Sequence, residues 1–195
     1  MKPEYQITWI EESDYAACLD IYAPYIRDTV ITFEYEVPTP EEFSERIRSI
    51  TRTYPWLVCR YEGKVVGYAY ASRYRDRIAY QWSVESAIYV HPDFHGKGIA
   101  RRLYETLLTI LRLQGFLTVY AIVGYPNEQS VGFHKSMGFE AFAHFKKSGY
   151  KHGQWRDTLW LQYTLGEYPV EPKDPVGIGS VKVKKELEAL FRAAN

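Results

Sequence analysis

Tyr89-Val90-His91-Pro92-Asp93-Phe94-His95-Gly96-Lys97-Gly98-Ile99-Ala100-Arg101-Arg102 joins a β-rich run to an amphipathic helix through a turn holding two glycines. Upstream, Ala79–Val90 reads as a strand. Downstream, Ile99, Leu103, Leu107 and Leu111 recur at four-residue intervals over Gly98–Gln114, Tyr104 and Leu108 widen the stripe, and Gly115 stops the helix. A strand feeding a helix through such a turn brings several backbone N–H groups and the positive end of the helix dipole to one point, which makes an anion site. Lys97, Arg101 and Arg102 strengthen that assignment, because cations in a first helical turn oppose the macrodipole unless an anion sits there. Two familiar phosphate motifs fail on spacing. A dinucleotide fingerprint needs glycine where Arg101 stands, and a P-loop needs glycine at His91 and Ser or Thr at Gly98. His91 and His95 are four apart, but Pro92 and Gly96 make this a loop, so no metal is expected there.

On the N-terminal side, Tyr5–Trp9 alternates as a short strand. Ser13 is the expected N-cap of a helix whose apolar stripe is Ala17, Cys18, Ile21, Tyr22 and Tyr25. Thr39-Pro40-Glu41-Glu42 opens a second helix with a capping box and a proline at the first helical position. Trp56–Tyr61 and Val65–Ser72 read as a hairpin joined by Glu62-Gly63-Lys64, with Ala79–Val90 as the third strand of the meander. On the C-terminal side, Leu117–Val123 is a strand, and Gly124-Tyr125-Pro126 leads into a short helix over Asn127–Met137. Phe139–Lys147 and Arg156–Leu165 make a closing antiparallel pair. The predicted organisation is one α/β (α+β) domain over residues 1–165. A Pro/Gly-rich linker follows (Pro169, Pro172, Pro175, Gly177, Gly179), then an amphipathic helix showing Val183, Leu187, Leu190 and Phe191 on one face.

Composition narrows the function. Of 195 residues 46 % are apolar, enough for one well-buried core. Lys and Arg (24) balance Asp and Glu (24), so no net field draws the chain to nucleic acid or an anionic membrane, and no long basic run offers a local one. No apolar stretch approaches the ~20 residues of a spanning helix. Met1-Lys2-Pro3-Glu4 lacks a signal-peptide core, so a soluble, cytoplasmic protein is expected. Cys18 and Cys59 each lie in an apolar stretch and read as buried small hydrophobes in a reducing compartment. With no Gly-x-Ser-x-Gly elbow, and neither cysteine next to a basic partner in sequence, covalent hydrolase chemistry is disfavoured.

Three groups remain that could do chemistry. Glu85 sits mid-strand among Val84, Ala87 and Ile88, where a carboxylate is costly unless wet or paired. Arg73, Arg75 and Arg77 alternate, so in an extended segment they would share a face, and a bound anion would relieve their repulsion. His134 lies in the short helix after Asn127 and can give or take a proton near neutrality, while Asn127 and Ser130 suit capping that helix.

The turn resembles the coenzyme-binding motif of the GNAT superfamily of N-acetyltransferases, Gln/Arg-x-x-Gly-x-Gly/Ala, matched as His95-Gly96-Lys97-Gly98-Ile99-Ala100 with His95 as the departure. Further strings are similar to the phosphinothricin N-acetyltransferase family, which includes enzymes acting on methionine sulfoximine and methionine sulfone. They are Tyr54-Pro55-Trp56-Leu57-Val58, Ala79-Tyr80-Gln81-Trp82-Ser83-Val84-Glu85-Ser86, Ala121-Ile122-Val123-Gly124-Tyr125-Pro126-Asn127, Ser130-Val131 and Gly149-Tyr150-Lys151-His152-Gly153. The similarity spans roughly residues 5–165, in order.

That resemblance implies a mixed, mostly antiparallel sheet flanked by helices, with central parallel strands that splay apart to admit acetyl-CoA, and no metal. It implies Glu85 as the base that deprotonates the substrate ammonium, and His134, where most of the superfamily has tyrosine, as the acid for the departing thiolate. Ile88, Tyr89, Val90, His95, Gly96, Lys97, Gly98, Ile99, Ala100, Arg101, Asn127 and Ser130 would hold the coenzyme. Phe33, Arg75, Arg77 and Tyr80 would line the pocket for a small amino-acid-like amine, and a homodimer would be its assembly. Two rivals stand beside this. A protein or peptide N-acetyltransferase predicts an open groove in place of an aromatic and Arg-lined pocket. A non-catalytic acyl-CoA sensor would keep Gly96 and Gly98 but have no need of Glu85.

Overall fold

The computed structural model describes residues 5–180, 185–188, 190 and 191. The polar N-terminal segment 1–4 and Val183 of the final helical face lie outside the described residues. Seven strands form one sheet: β1 (Tyr5–Trp9), β2 (Trp56–Tyr61), β3 (Lys64–Arg73), β4 (Ser83–Val90), β5 (Thr118–Tyr125), β6 (Glu140–Lys151) and β7 (Gln154–Thr164). Their order is β1-β2-β3-β4-β5-β7-β6. Every neighbouring pair is antiparallel except β4 and β5. The helices α1 (Tyr15–Asp28), α2 (Pro40–Thr51), α3 (Ile99–Gln114) and α4 (Glu128–Ser136) flank the sheet.

Strand alternation divides the interior in two. Leu57, Cys59, Ala69, Val84 and Val119 face the stripe Ile99, Leu103, Leu107 and Leu111 of α3. Trp56, Val58 and Tyr68 face Cys18, Ile21, Tyr22 and Ile26 of α1 and Phe43 and Ile47 of α2. The two cysteines therefore sit free in opposite cores, and burial pushes the Cys59 thiol up to about 11. The Thr39 capping box forms as expected, with Glu42 N–H donating to Thr39 Oγ1 at 3.2 Å and Thr39 N–H to Glu42 Oε2 at 2.8 Å.

Four details differ from the sequence expectation. Ser13 does not cap α1. It lies inside a 3-10 turn, Glu12–Asp14, and Asp14, 3 % exposed, accepts from Glu11 N–H at 2.9 Å and Arg60 Nη2 at 2.8 Å. The first hairpin turns on two residues, Glu62 and Gly63, both at positive φ (50° and 76°), so strand pairing resumes at Lys64. The third meander strand begins at Ser83, because Ile78–Tyr80 coil into a 3-10 turn. The Pro/Gly-rich segment is no free linker: Trp82 Nε1 donates to Lys173 O at 2.9 Å, Val176 N–H donates to Gln114 O at 2.8 Å, and Gln114 Nε2 donates to Val176 O at 3.0 Å. The chain returns along the end of α3, where Leu187 is 3 % exposed and the Phe191 ring meets Trp9 edge-on at 5.1 Å. No described helix is long and apolar enough to cross a membrane.

Gln114 is 1 % exposed and also donates to Thr53 O at 3.1 Å, so it ties the tail to the α2–β2 connection. Gln114→Met keeps the volume and removes both side-chain hydrogen bonds. Urea unfolding is expected to register a loss of about 1–3 kcal/mol, and an unchanged midpoint would refute the tie.

Candidate active site

Gly96 (φ 73°) and Gly98 (φ 78°, ψ 0°) take the left-handed conformation, and Gly98 is the N-cap of α3. A side chain at either position would meet nothing within 4 Å, so the glycines are set by backbone conformation and by the open space in front of them. His95 anchors the turn. Its Nε2 lies 2.9 Å from Val90 O, a carbonyl that can only accept, and the Tyr25 hydroxyl donates to the same oxygen at 2.6 Å. The side chain at the position that departs from the superfamily pattern thus ties the turn to the end of β4 and to α1.

A cleft of about 350 Å³ opens over this turn. Ile88, Tyr89, Val90, His95, Gly96, Gly98, Ile99, Ala100, Arg101, Asn127 and Ser130 line it. Lys97 does not. Its Nζ sits 4.5 Å from the centre of the Phe94 ring. Arg101 reaches across the cleft to Ser136 Oγ at 3.2 Å. Sequence reasoning missed Tyr25, Gln129, Phe133 and Ser136 as lining residues. Tyr25 was legible only as part of the apolar stripe of α1, although its hydroxyl is the kind of polar handle that seeks a partner.

The cleft continues into a gap in the sheet. β4 and β5 pair only at Ser83–Thr118, Val84–Val119 and Glu85–Tyr120. Beyond these pairs their facing edges share no ladder and diverge around a space of about 70 Å³ bordered by Ser86, Ile88, Tyr104, Val123, Ser130 and His134. Because Val84 and Val90 pack on the α3 side, alternation puts Glu85 on the other face of the sheet. The gap therefore connects the glycine turn with the face that carries Glu85.

Glu85 is half-buried, and desolvation raises its carboxyl above the ordinary range while the positive charge of Arg75 pulls it down. Arg75 lies over the rings of Tyr74 (5.1 Å) and Tyr80 (5.9 Å), and Tyr74 packs on Tyr120 at 4.5 Å. The three arginines do not form the single extended face that their alternation predicts. β3 ends at Arg73, which turns to Asp76 at 3.7 Å, and Arg77 is exposed at the start of the 3-10 turn. Phe33 reaches the same side of the sheet from the loop after α1, its ring 3.6 Å from where a Cβ on Gly124 would stand.

His134 is 4 % exposed at the far end of the gap. Its Nδ1 is 2.8 Å from Ser130 O, an acceptor, so Nδ1 carries the proton and Nε2 accepts from Tyr104 OH at 3.0 Å. Tyr104 OH is in turn 3.0 Å from Ser86 Oγ. Burial lowers the pKa of the imidazole, against the Ser130 bond that raises it, which favours the neutral ring. Asn127 Oδ1 caps α4 by accepting from Ser130 N–H at 3.0 Å. Among the described residues no three His, Cys, Asp or Glu side chains gather as a metal site.

Comparisons with known proteins agree with this geometry. The chain is 38 % identical over 161 residues to the phosphinothricin N-acetyltransferase of Streptomyces viridochromogenes, covering 83 % of this chain and 87 % of that one. It is 30 % identical to the L-methionine sulfoximine/L-methionine sulfone acetyltransferase of Salmonella typhimurium, covering 83 % and 95 %. A crystal structure of a phosphinothricin acetyltransferase from Sinorhizobium meliloti in complex with acetyl-CoA superimposes with a TM-score of 0.83 at 35 % identity, over 87 % of this chain and 93 % of that one. Residues 7–160 match the acetyltransferase (GNAT) domain model, and with a splayed sheet opening beside a glycine turn, this chain belongs to the GNAT family of acetyltransferases.

Proposed function

We propose that the protein transfers the acetyl group of acetyl-CoA to the α-amine of a small amino-acid-like acceptor with a second anionic or highly polar tetrahedral group. Phosphinothricin, methionine sulfoximine and methionine sulfone are of that kind, and the relatives named for them support the choice. Residues 1–165 would form the catalytic domain and residues 166–195 an appendage to it. The observation that carries the proposal is Glu85, a half-buried carboxylate with a raised pKa at the root of the gap between β4 and β5.

The residues fit the coenzyme: left-handed glycines with open space before them, at the N-terminus of a 16-residue helix, suit a pyrophosphate held by backbone N–H groups. Acetyl-CoA supplies the thioester whose acyl carbon is attacked. On the other face, Glu85 accepts a proton from the acceptor ammonium, directly or through water. An amine with a pKa near ~9–10 is mostly protonated at neutrality and then has no lone pair to attack with. The freed lone pair bonds to the acyl carbon, the carbon–sulfur bond breaks with its electron pair leaving on sulfur, and the second proton that nitrogen sheds on becoming an amide passes to the departing thiolate or to water. Backbone N–H groups on the unpaired edge of β4, near Ile88–Val90, polarise the acyl oxygen as it gains charge. An ordinary thiol has a pKa near ~8.5, so the sulfur can depart as the anion. His134, with its N–H committed to Ser130 O, serves to order the thiol end of the cleft through Tyr104 and Ser86.

A thiol-release assay with acetyl-CoA against phosphinothricin, methionine sulfoximine, methionine sulfone and the common amino acids tests the assignment. Acetyl-CoA binding without turnover of any amine would favour the sensor, and turnover of peptide amines alone would favour the protein acetyltransferase. Arg75→Met removes a charge-assisted contact to the acceptor, so kcat/KM for the best acceptor should fall about tenfold or more while KM for acetyl-CoA barely moves. Arg77, at the start of the 3-10 turn and with no ring contact of the kind Arg75 makes, would add a weaker contact to the acceptor. Full efficiency in the Arg75→Met variant would place the anion site elsewhere.

A further inference from the structure

The loop over residues 29–35 is bound on three sides by groups that the chemistry above does not use. Gly124 of β5 lies so close to it that a Cβ there would be 2.6 Å from Val30 O. Across the sheet a Cβ on Gly149 of β6 would overlap Cε2 and Cδ2 of Phe33, so the two glycines form a slot in which the Phe33 ring sits. Lys151, two residues on, is 1 % exposed. Its Nζ donates to Ile26 O at 2.8 Å, in the last turn of α1, and to Thr32 O at 2.7 Å, inside the loop. Burial lowers the pKa of this ammonium, and Glu34 opposes that shift. The Tyr35 hydroxyl donates to Tyr150 O, so the loop and the β6–β7 hairpin hold each other from both directions.

The hairpin is shaped for this by a bulge. Pairing of β6 with β7 is interrupted between Phe145 and Gly149, with Lys147 at φ 51°. Asp157 holds the bulge, accepting from Lys147 N–H at 2.8 Å while its other oxygen meets His144 Nε2 at 2.7 Å. The offset re-aims Gly149 and Lys151 toward the loop.

We propose that Lys151, Gly149 and Gly124 are positioning residues for the amine acceptor: they fix Phe33, and through it the wall of the acceptor chamber on the Glu85 face. A lysine buried under two carbonyls costs desolvation that its two charge-assisted bonds must offset, an arrangement that makes sense where loop geometry matters more than loop stability. Loss of the clamp should let the loop sample other positions, which weakens selection of the acceptor; Ile31 of the loop borders the coenzyme cleft, but the glycine turn keeps its own anchor, His95 on Val90 O.

Since the place of Phe33 in the acceptor chamber is itself part of the proposed function, Phe33→Ala, Lys151→Met and Gly149→Ala are measured together. Each is assayed with methionine sulfone and with alanine as acceptors, alongside acetyl-CoA affinity by calorimetry and a thermal melt. Lys151→Met keeps the stem and removes the ammonium. It is expected to raise KM for methionine sulfone about tenfold and to narrow its preference over alanine, with acetyl-CoA affinity within about threefold of wild type. Gly149→Ala displaces the ring without touching the lysine and should give the same split, so it decides the matter if Lys151→Met does not fold. A uniform fall in kcat/KM for both acceptors together with weaker acetyl-CoA binding would mark a purely structural role and overturn the inference. Phe33→Ala effective while both hairpin variants stay silent would overturn the clamp alone. Phe33→Ala without effect would overturn both the clamp and the chamber assignment.

Discussion

Glu85→Gln is expected to lower kcat by about 100-fold or more at neutral pH while acetyl-CoA binds with nearly unchanged affinity. Glutamine keeps the shape and the hydrogen-bonding capacity of the side chain but cannot take the ammonium proton. The pH dependence carries the sharper test. With Glu85 as the base the wild-type rate would need it ionised, and burial raises its carboxyl above the ordinary ~4.3, so the acidic limb of the kcat/KM profile should lie at higher pH than that of an exposed carboxylate. Arg75 pulls in the opposite direction. Removing its charge should therefore move the limb further up, an effect separable from the loss of acceptor affinity in the same variant. Stopped-flow or steady-state profiles of Glu85→Gln should lack the limb altogether. A wild-type kcat in Glu85→Gln across pH 6–9 would refute the assignment.

How far the sequence could be read depends on where the deciding partner lies. Thr39 and Glu42 are three residues apart and cap each other, and the stripe of α3 needs only its own period, so both were legible. Gly96 and Gly98 marked a turn for the same local reason, and both take left-handed backbone there. The failures share the opposite property. Ala79 and Tyr80 have ordinary strand character, yet that stretch coils, and the parallel register with β5 begins only at Ser83. Pro169–Gly179 has linker composition, but Trp82 and Gln114, far away in sequence, supply donors that fix it. Arg73, Arg75 and Arg77 alternate on paper, but the strand that would give alternation a meaning stops at the first of them. In the candidate site, residue type was legible and proton position was not. His134 was legible as a residue of the short helix after Asn127, while its tautomer follows from Ser130 O and Tyr104 OH, contacts that no spacing rule reports. Lys151 would be read from sequence as a solvated hairpin lysine, and only the carbonyls of Ile26 and Thr32 explain why it is buried.

Gly98→Val should abolish measurable acetyl-CoA binding, a loss of about 100-fold or more, in a protein that still folds. Two effects have to be separated. A β-branched residue held at φ 78° costs roughly 1–2 kcal/mol in backbone conformation, which lowers the melting temperature but leaves a domain of this size folded. The side chain would also enter the open space before the first turn of α3, where a Cβ meets nothing of the protein within 4 Å and where a pyrophosphate held by this turn would approach backbone N–H groups. Gly63 isolates the first effect: it sits at φ 76°, also with nothing within 4 Å, in the β2–β3 turn and away from the cleft lining. Gly63→Val should therefore lose similar stability and keep wild-type acetyl-CoA affinity in calorimetry. Gly98→Ala, which pays the backbone cost with less bulk, should fall between them. If Gly98→Val folds and binds acetyl-CoA as the wild type does, the phosphates are held elsewhere and the glycine turn is only a helix cap. If Gly63→Val and Gly98→Val lose affinity equally, the loss reports global destabilisation and the turn has no special part in it.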